Sequence, residues 1–331
     1  MTESLLGSFD AVFADLDGVV YAGPHAIPGA PEALQGLDAA GVKLAYITNN
    51  ASRSSAMVAE HLRELGAPAT AANVFGSAHA GAELLAGLVP AGSTVLVTGS
   101  ATLREQVQAQ GLVPVSSADD RPAAVIQGFD PGLGWKDLAE AAFAVSAGAV
   151  WVATNTDLSI PQARGIAPGN GTLVAAVASA TGRQPVVAGK PEAPLFTTAA
   201  RHLGVERPLV VGDRLDTDIL GGTNAGYATA LVLTGVDSPA SALAARTAER
   251  PDFLIPSLGA LYDPYPAPEP ADGGFSCGAA TARVSGGEVF IDAPAGDLDG
   301  WRAACAAWWQ EHPNAARATN PQVRWTVSAG R

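Results

Sequence analysis

Along most of this chain, short runs of consecutive apolar residues alternate with longer stretches whose apolar positions recur every three or four residues. The runs Ala11–Ala14, Lys43–Thr48, Thr94–Thr98, Ala123–Gln127, Val150–Ala153, Pro208–Gly212 and Thr229–Leu233 have strand length and lack in/out alternation. That pattern suits parallel strands covered on both faces. Ser54–Leu65, Trp135–Ala147, Leu173–Ala180 and Pro191–Leu203 carry the helical period. The predicted fold is α/β with a doubly wound parallel sheet, since the β-α units are too few and too unevenly spaced for an eightfold barrel.

The organisation is not uniform. Residues 80–185 have a β-α pattern of their own and could fold as an insert. The stretch Asp263-Pro-Tyr-Pro-Ala-Pro-Glu-Pro-Ala-Asp-Gly-Gly274 reads as a polyproline-type linker. Beyond it the pattern predicts a hairpin (Cys277–Val284, turn Ser285-Gly286-Gly287, Glu288–Ile291), a helix over Leu298–Gln310 and a strand at Val323–Val327. This is a small α+β extension, short for an independent core.

With 48% hydrophobic and 15% charged residues, the chain has globular composition, and its 331 residues suggest two domains. The net charge of −13 argues against nucleic acid and anionic membrane surfaces as partners. An anionic substrate would need local cations. The two cysteines, Cys277 and Cys305, have no metal spacing and suit a reducing compartment. The start at Met1 lacks a basic segment and an apolar leader, and the apolar stretch Ala141–Thr154 is too short to span a bilayer. The expected location is the cytoplasm. His25, His61, His79 and His202 show no mutual metal spacing and read as surface or loop residues.

Candidate chemistry sits at strand ends. Asp15-Leu-Asp17-Gly18 closes the first apolar run with two carboxylates on one face of an extended chain. They repel unless a cation or a proton intervenes, although the same pattern also makes ordinary turns. Thr48-Asn49-Asn50 ends a second strand just before a helix near Ser52 or Ser54, which is either an anion site or plain capping. Gly189-Lys190-Pro191 puts a cation before a proline suited to a first helical turn, or else is a solvated lysine. Gly212-Asp213-Arg-Leu-Asp216-Thr217-Asp218 adds three carboxylates, of which Asp216 could be only an N-cap. Asp15, Asp213 and a backbone carbonyl near Asp17 would suit a hard divalent ion such as Mg²⁺. Gly169-x-Gly171 lacks the third glycine of a dinucleotide fingerprint, where Val174 stands. Gly189-Lys190 is no P-loop, because Gln184 and Pro191 occupy its outer positions.

In this order the four segments resemble the haloacid dehalogenase (HAD) superfamily over residues 8–260. The opening Asp-Leu-Asp-Gly-Val-Val-Tyr-x-Gly resembles its C2-capped branch, which includes the phosphoglycolate phosphatase and NagD-type enzymes. Asn49-Asn-Ala-Ser-Arg53, Asn155-Thr-Asp157, Pro161 through Gly165 and Pro168-Gly-Asn-Gly171 are similar to glycerol-phosphate phosphatases of that branch. The resemblance implies a discontinuous Rossmann-like core (1–79 and 186–262), an α/β cap (80–185), the linker 263–274 and the extension 275–331. It implies Mg²⁺-dependent hydrolysis of a small phosphorylated metabolite through an aspartyl-phosphate, with Asp15 as nucleophile and Asp17 as proton shuttle. Thr48 and Lys190 would hold charge on the phosphoryl group, and Asp15, Asp17, Asp213 and Asp218 the metal. Asn49, Asn50, Asn155, Asp157, Arg164 and Asn170 would meet the substrate. Glycerol 3-phosphate is the expected ester, with phosphoglycolate, pyridoxal phosphate or a nucleotide as rivals, and a catalytically idle sensor as the different-class alternative. A homodimer through the cap is a further expectation.

Overall fold

The computed structural model describes residues 4–162 and 164–327. The chain divides into two compact units, Met1–Leu44, Leu65–Pro68 and Val205–Arg331 in the first, Ala45–Glu64 and Ala69–Gly204 in the second. The leader reading rests partly on residues 1–3, which lie outside the described residues.

In the first unit, the parallel strands Phe253–Ile255, Ala228–Val232, Pro208–Gly212 and Ala11–Ala14 lie side by side in that order. Every residue of Ala11–Ala14 and Pro208–Gly212 is buried, which is why these segments show no alternation. Ala14 pairs with Val211, so the two strands end together and deliver Asp15 and Asp213 to one edge. The second sheet of this unit orders Glu269–Ala271, Gly274–Cys277, Ala280–Ser285, Glu288–Pro294 and Gln322–Val327. Its first four strands are antiparallel neighbours, and the last pairs parallel to Glu288–Pro294. A parallel neighbour needs a crossover, and the helix Leu298–Glu311, capped by Asp297 on the Gly300 N–H, supplies it.

The linker expectation holds only in part. Glu269–Ala271 is a strand paired with Gly274–Cys277, because Pro270 sits on a sheet edge where its missing N–H costs no ladder bond. The predicted arm Cys277–Val284 is also two strands, broken at Gly278, where φ is +56°. One apolar cluster joins this sheet to the parallel layer: Val289, Ile291, Cys305 and Trp308 pack with Leu215, Ile219, Leu231 and Leu254. Buried Arg302 is satisfied inside it, donating to the Leu254 carbonyl and to Asp299.

The second unit has a five-stranded parallel sheet, ordered Val186–Val187, Val150–Ala153, Ala124–Gln127, Thr94–Thr98 and Val113–Val115. Successive residues feed opposite faces. Val95, Val97, Ala124, Ile126 and Val152 meet Ala82, Leu85, Leu103 and Val107 of the helices Ser77–Ala86 and Ala101–Ala109. Leu96, Val125, Trp151 and Ala153 meet Ala141, Val145, Val174 and Val177 of Trp135–Ser146 and Asn170–Thr181. The α/β expectation is met, with helices on both faces. Tyr46–Thr48 pairs in parallel with the short strand Val74–Gly76, and a hairpin joins Ser159–Gln162 to Gly165–Pro168.

Two helix starts differ from the sequence reading. The helix read from Leu173 begins at Asn170, directly after Gly169. The helix read from Pro191 begins at Pro194, and Lys190-Pro191 is a cis peptide in the preceding turn. Lys190 is therefore not a cation at a helix start, which removes its electrostatic oddity.

Candidate active site

Asp15 follows directly on Ala14, and its N–H donates to the Val211 carbonyl at 2.9 Å, continuing the strand ladder. One carboxylate oxygen each from Asp15, Asp213 and Asp218 lies within 4.8 Å of the others. Asp213 and Asp218 are only 2% and 1% exposed, so their mutual repulsion is not screened by water. Asp213 Oδ2 accepts from the Val236 N–H at 2.8 Å, and Asp218 Oδ2 from the Arg214 N–H at 3.2 Å. An all-oxygen carboxylate set suits a hard divalent cation, which would offset three converging charges.

The approach is possible because backbone, not side chain, surrounds these groups. A Cβ on Gly18 would stand 2.2 Å from Asp213 Oδ2, and one on Gly235 2.0 Å from it. Gly18 also has φ +79°, a conformation that side-chain-bearing residues avoid. The turn is held by Gly18 N–H donating to the Tyr21 carbonyl and by Thr234 Oγ1 donating to the Gly18 carbonyl. Leu215–Ile219, which carries Asp218, is a π-helical turn whose Leu215 N–H donates to Asp237. Such turns recur at functional sites.

Asp17 is exposed and stands outside the three-carboxylate group, so the metal reading of its side chain gains no geometric support. Asp216 is also exposed and does not cap the turn. It accepts both hydrogen bonds of a two-pronged pair with Arg214.

In the second unit, Asn49 organises the other predicted residues. Its Oδ1 accepts from the Lys190 N–H at 2.7 Å, and its Nδ2 donates to the Lys190 carbonyl at 3.0 Å and to the Asp157 carboxylate. Its own carbonyl accepts from Asn155 Nδ2 at 2.8 Å and from Ser77 Oγ at 2.6 Å. Asn170 Nδ2 in turn donates to the Asn155 carbonyl at 2.7 Å. Asn155 and Asn170 are buried with their amides on backbone carbonyls, so they shape this loop cluster from within. Gly189 allows the close approach, since a Cβ there would be 2.5 Å from the Thr154 carbonyl.

Lys190 is 4% exposed, a depth at which an ammonium persists only with partners. Thr48 Oγ1 accepts from the Asn50 N–H at 3.1 Å, which leaves its own O–H to donate. Asn50 Oδ1 accepts from Ser52 and Arg53 N–H in the turn ahead of the helix Ser55–Glu64, and the capping is done by Ser54, whose Oγ accepts from the Met57 N–H. Arg164 is exposed in the hairpin turn. The sequence reading missed one grouping altogether. His79 and His202 lie on helices, not loops, and converge with Glu83.

Comparison with known proteins agrees with this geometry. A family profile for haloacid dehalogenase-like hydrolases matches residues 12–113, and a second HAD-hydrolase-like profile matches residues 187–261. The D-glycerol 3-phosphate phosphatase of Mycobacterium tuberculosis is 42% identical over 316 residues, covering 93% of this chain and 88% of that protein. The glycerol-3-phosphate phosphatase of Gallus gallus is 36% identical, covering 78% of this chain and 92% of its own. A solved structure of the glycerol phosphate phosphatase from Mycobacterium tuberculosis in complex with magnesium superposes with a TM-score of 0.88. It is 41% identical and covers 99% of this chain and 96% of that one.

Proposed function

The chain belongs to the haloacid dehalogenase-like hydrolases, and from that membership we propose a Mg²⁺-dependent phosphomonoesterase that releases glycerol from glycerol 3-phosphate. The convergence of Asp15, Asp213 and Asp218 carries the reading. The oxygen-only donor set fits Mg²⁺, which when bound would neutralise charge so that an anionic nucleophile can meet an anionic ester.

In this reading Asp15 attacks phosphorus in line. The new O–P bond forms on its carboxylate as the ester O–P bond breaks, giving an aspartyl-phosphate and an alkoxide. Asp17, exposed and outside the three-carboxylate group, gives its proton to that alkoxide. It then takes one from the water that hydrolyses the intermediate and restores Asp15. The Thr48 hydroxyl and the Lys190 ammonium hold the transferring oxygens, where fixed donors act most strongly. Asn49 keeps the Lys190 turn and Asp157 in one arrangement. The segment 80–185 is proposed as the cap that reads the alcohol.

The exposed apolar side chains of Trp135, Phe143, Leu158 and Ile166 support a homodimer through this segment, which sedimentation at micromolar concentration tests. Cytoplasmic residence is supported by the two buried free thiols. Among the described residues no helix is long and apolar enough to cross a membrane.

The test is phosphate release from glycerol 3-phosphate, phosphoglycolate, pyridoxal phosphate and UMP, scored as kcat/KM with and without EDTA. The reading expects glycerol 3-phosphate to lead and EDTA to abolish turnover. A different leading ester overturns the substrate, and silence on every ester with Mg²⁺ present favours the idle sensor. Asp15→Asn should lose at least about 10³-fold in kcat while keeping its fold.

A further inference from the structure

A second convergence of ligand-bearing side chains lies within the second unit. His79 and Glu83 stand four residues apart, on one face of the helix Ser77–Ala86. His202 occupies the last turn of Pro194–Leu203, which packs against it. One ligand atom from each of the three lies within 4.8 Å of the others. Glu83 Oε2 is 3.5 Å from His79 Nε2 and 3.1 Å from His202 Nε2. Around a tetrahedral ion with nitrogen and oxygen donors at about 2.0–2.1 Å, neighbouring donors stand about 3.3 Å apart. The two separations bracket that edge.

The hydrogen bonds around the group orient it inward. His79 Nδ1 lies 3.0 Å from Gln106 Oε1, which only accepts, so Nδ1 carries the proton and Nε2 of the neutral ring is a bare lone pair. That lone pair faces a carboxylate oxygen, a repulsive pairing that a cation turns into an attractive one. A ligating histidine held through its other nitrogen is the usual supporting arrangement at metal centres. Arg201 pairs with Glu83 Oε1, which fixes the carboxylate with Oε2 turned to the imidazoles. The two rings stand at 79° with centroids 5.1 Å apart, and both meet the ring of Phe75 edge-on, an apolar wall to the group.

We propose that His79, Glu83 and His202 form a site for a borderline divalent transition metal of the Zn²⁺ type, with solvent completing a fourth position. Two imidazoles and a single carboxylate select against Mg²⁺, whereas the Asp15, Asp213 and Asp218 set selects for it. The bound ion ties the first turn of one helix to the last turn of another. The first of these helices begins at Ser77, whose hydroxyl holds the Asn49 carbonyl. The site therefore acts as a clamp on the loop cluster and takes no part in the reaction itself.

The test is titration of the tag-free, metal-stripped full chain with Co²⁺, followed by displacement with Zn²⁺. One equivalent should give the intense visible absorption of tetrahedral Co²⁺, and Zn²⁺ should bleach it. His79→Gln and His202→Gln should abolish the absorption and weaken Zn²⁺ binding by at least about 100-fold, and Gln106→Leu should weaken it by about 10–100-fold. Asp213→Asn, which acts on the other carboxylate set, should leave the absorption intact. His202 is 44% exposed at its side chain, so its replacement should keep the melting temperature of the metal-free chain, while Zn²⁺ should raise the melting temperature of the parent only. Absence of tetrahedral absorption in the parent, or its persistence in His202→Gln, overturns the proposal.

Discussion

The amide of Asn49 brackets the backbone of Lys190 across 141 residues of sequence, accepting from its N–H at 2.7 Å and donating to its carbonyl at 3.0 Å. The same Nδ2 also reaches Asp157, so one side chain sets three loops at once. Asn49→Leu keeps the volume but leaves a buried N–H and carbonyl without that partner, at a cost of about 1–3 kcal/mol. The expected result is a lowered melting temperature and a kcat reduced by at least about tenfold, because the turn carrying the ammonium is no longer fixed. Steady-state kinetics with thermal denaturation check both. An unchanged kcat in a destabilised protein means that Asn49 supports the fold alone.

Asp17 is exposed and outside the carboxylate group, which suits a proton shuttle and not a charge sink. Asp17→Asn should cut turnover of an alkyl phosphate by about 10²–10⁴-fold, the range of general acid–base catalysis. The loss should be much smaller for 4-nitrophenyl phosphate, whose leaving group departs without a proton. Equal losses on both esters would contradict the assigned role.

Gly18→Ala sets a methyl group against the Asp213 carboxylate and a side chain at φ +79°. The left-handed conformation alone costs about 1–2 kcal/mol. Displacement of Asp213 should show as a raised Mg²⁺ requirement, read from kcat against Mg²⁺ concentration. Gly23→Ala is the control, since it has a comparable positive φ, +57°, and nothing within 4 Å of the added carbon. It should lose stability without altering that requirement.

Burial pushes the Cys277 thiol up to about 12 from 9.0, and it raises Cys305 as well. In the unfolded chain both ionise near the ordinary value, so the folded state is favoured fully below about 9 and loses this contribution as pH rises toward about 12. Alkaline destabilisation should therefore be blunted in the Cys277→Ala, Cys305→Ala double variant, measured as the pH dependence of the urea midpoint. Neither thiol should react with a disulfide reagent near pH 8 until the protein is denatured.

The sequence announced the parallel strands because full burial on both faces leaves uninterrupted apolar runs. Asp213 stood out because capping does not explain a carboxylate at a strand end, whereas Asp15-Leu-Asp17 alone fitted a turn equally well and stood out only beside the other three strand-end segments. It could not show Asn49 as a tie, since amide partners 108 and 141 residues away leave no local trace. For the same reason His79 read as a surface or loop residue and Glu83 drew no notice, because His202 lies 119 residues from Glu83 in the chain. Lys190-Pro191 misled differently. Proline marks a helix start and a turn with equal ease, and here Pro194, not Pro191, opens the helix. The prolines of the stretch 263–274 suggested an extended tether, whereas the one at Pro270 is accommodated equally well in the edge strand Glu269–Ala271.

Leu215 and Ile219, which flank the turn bearing Asp218, share their apolar cluster with Ile291, Cys305 and Trp308 of the C-terminal sheet and helix. The C-terminal sheet and its helix are thus no detachable appendage. A descendant that shed them would uncover the apolar rear of the turn bearing Asp218, and would need polar residues in place of those apolar ones. The expected evolutionary record is coordinated change at both ends of this cluster, with the extension inherited or lost as a block.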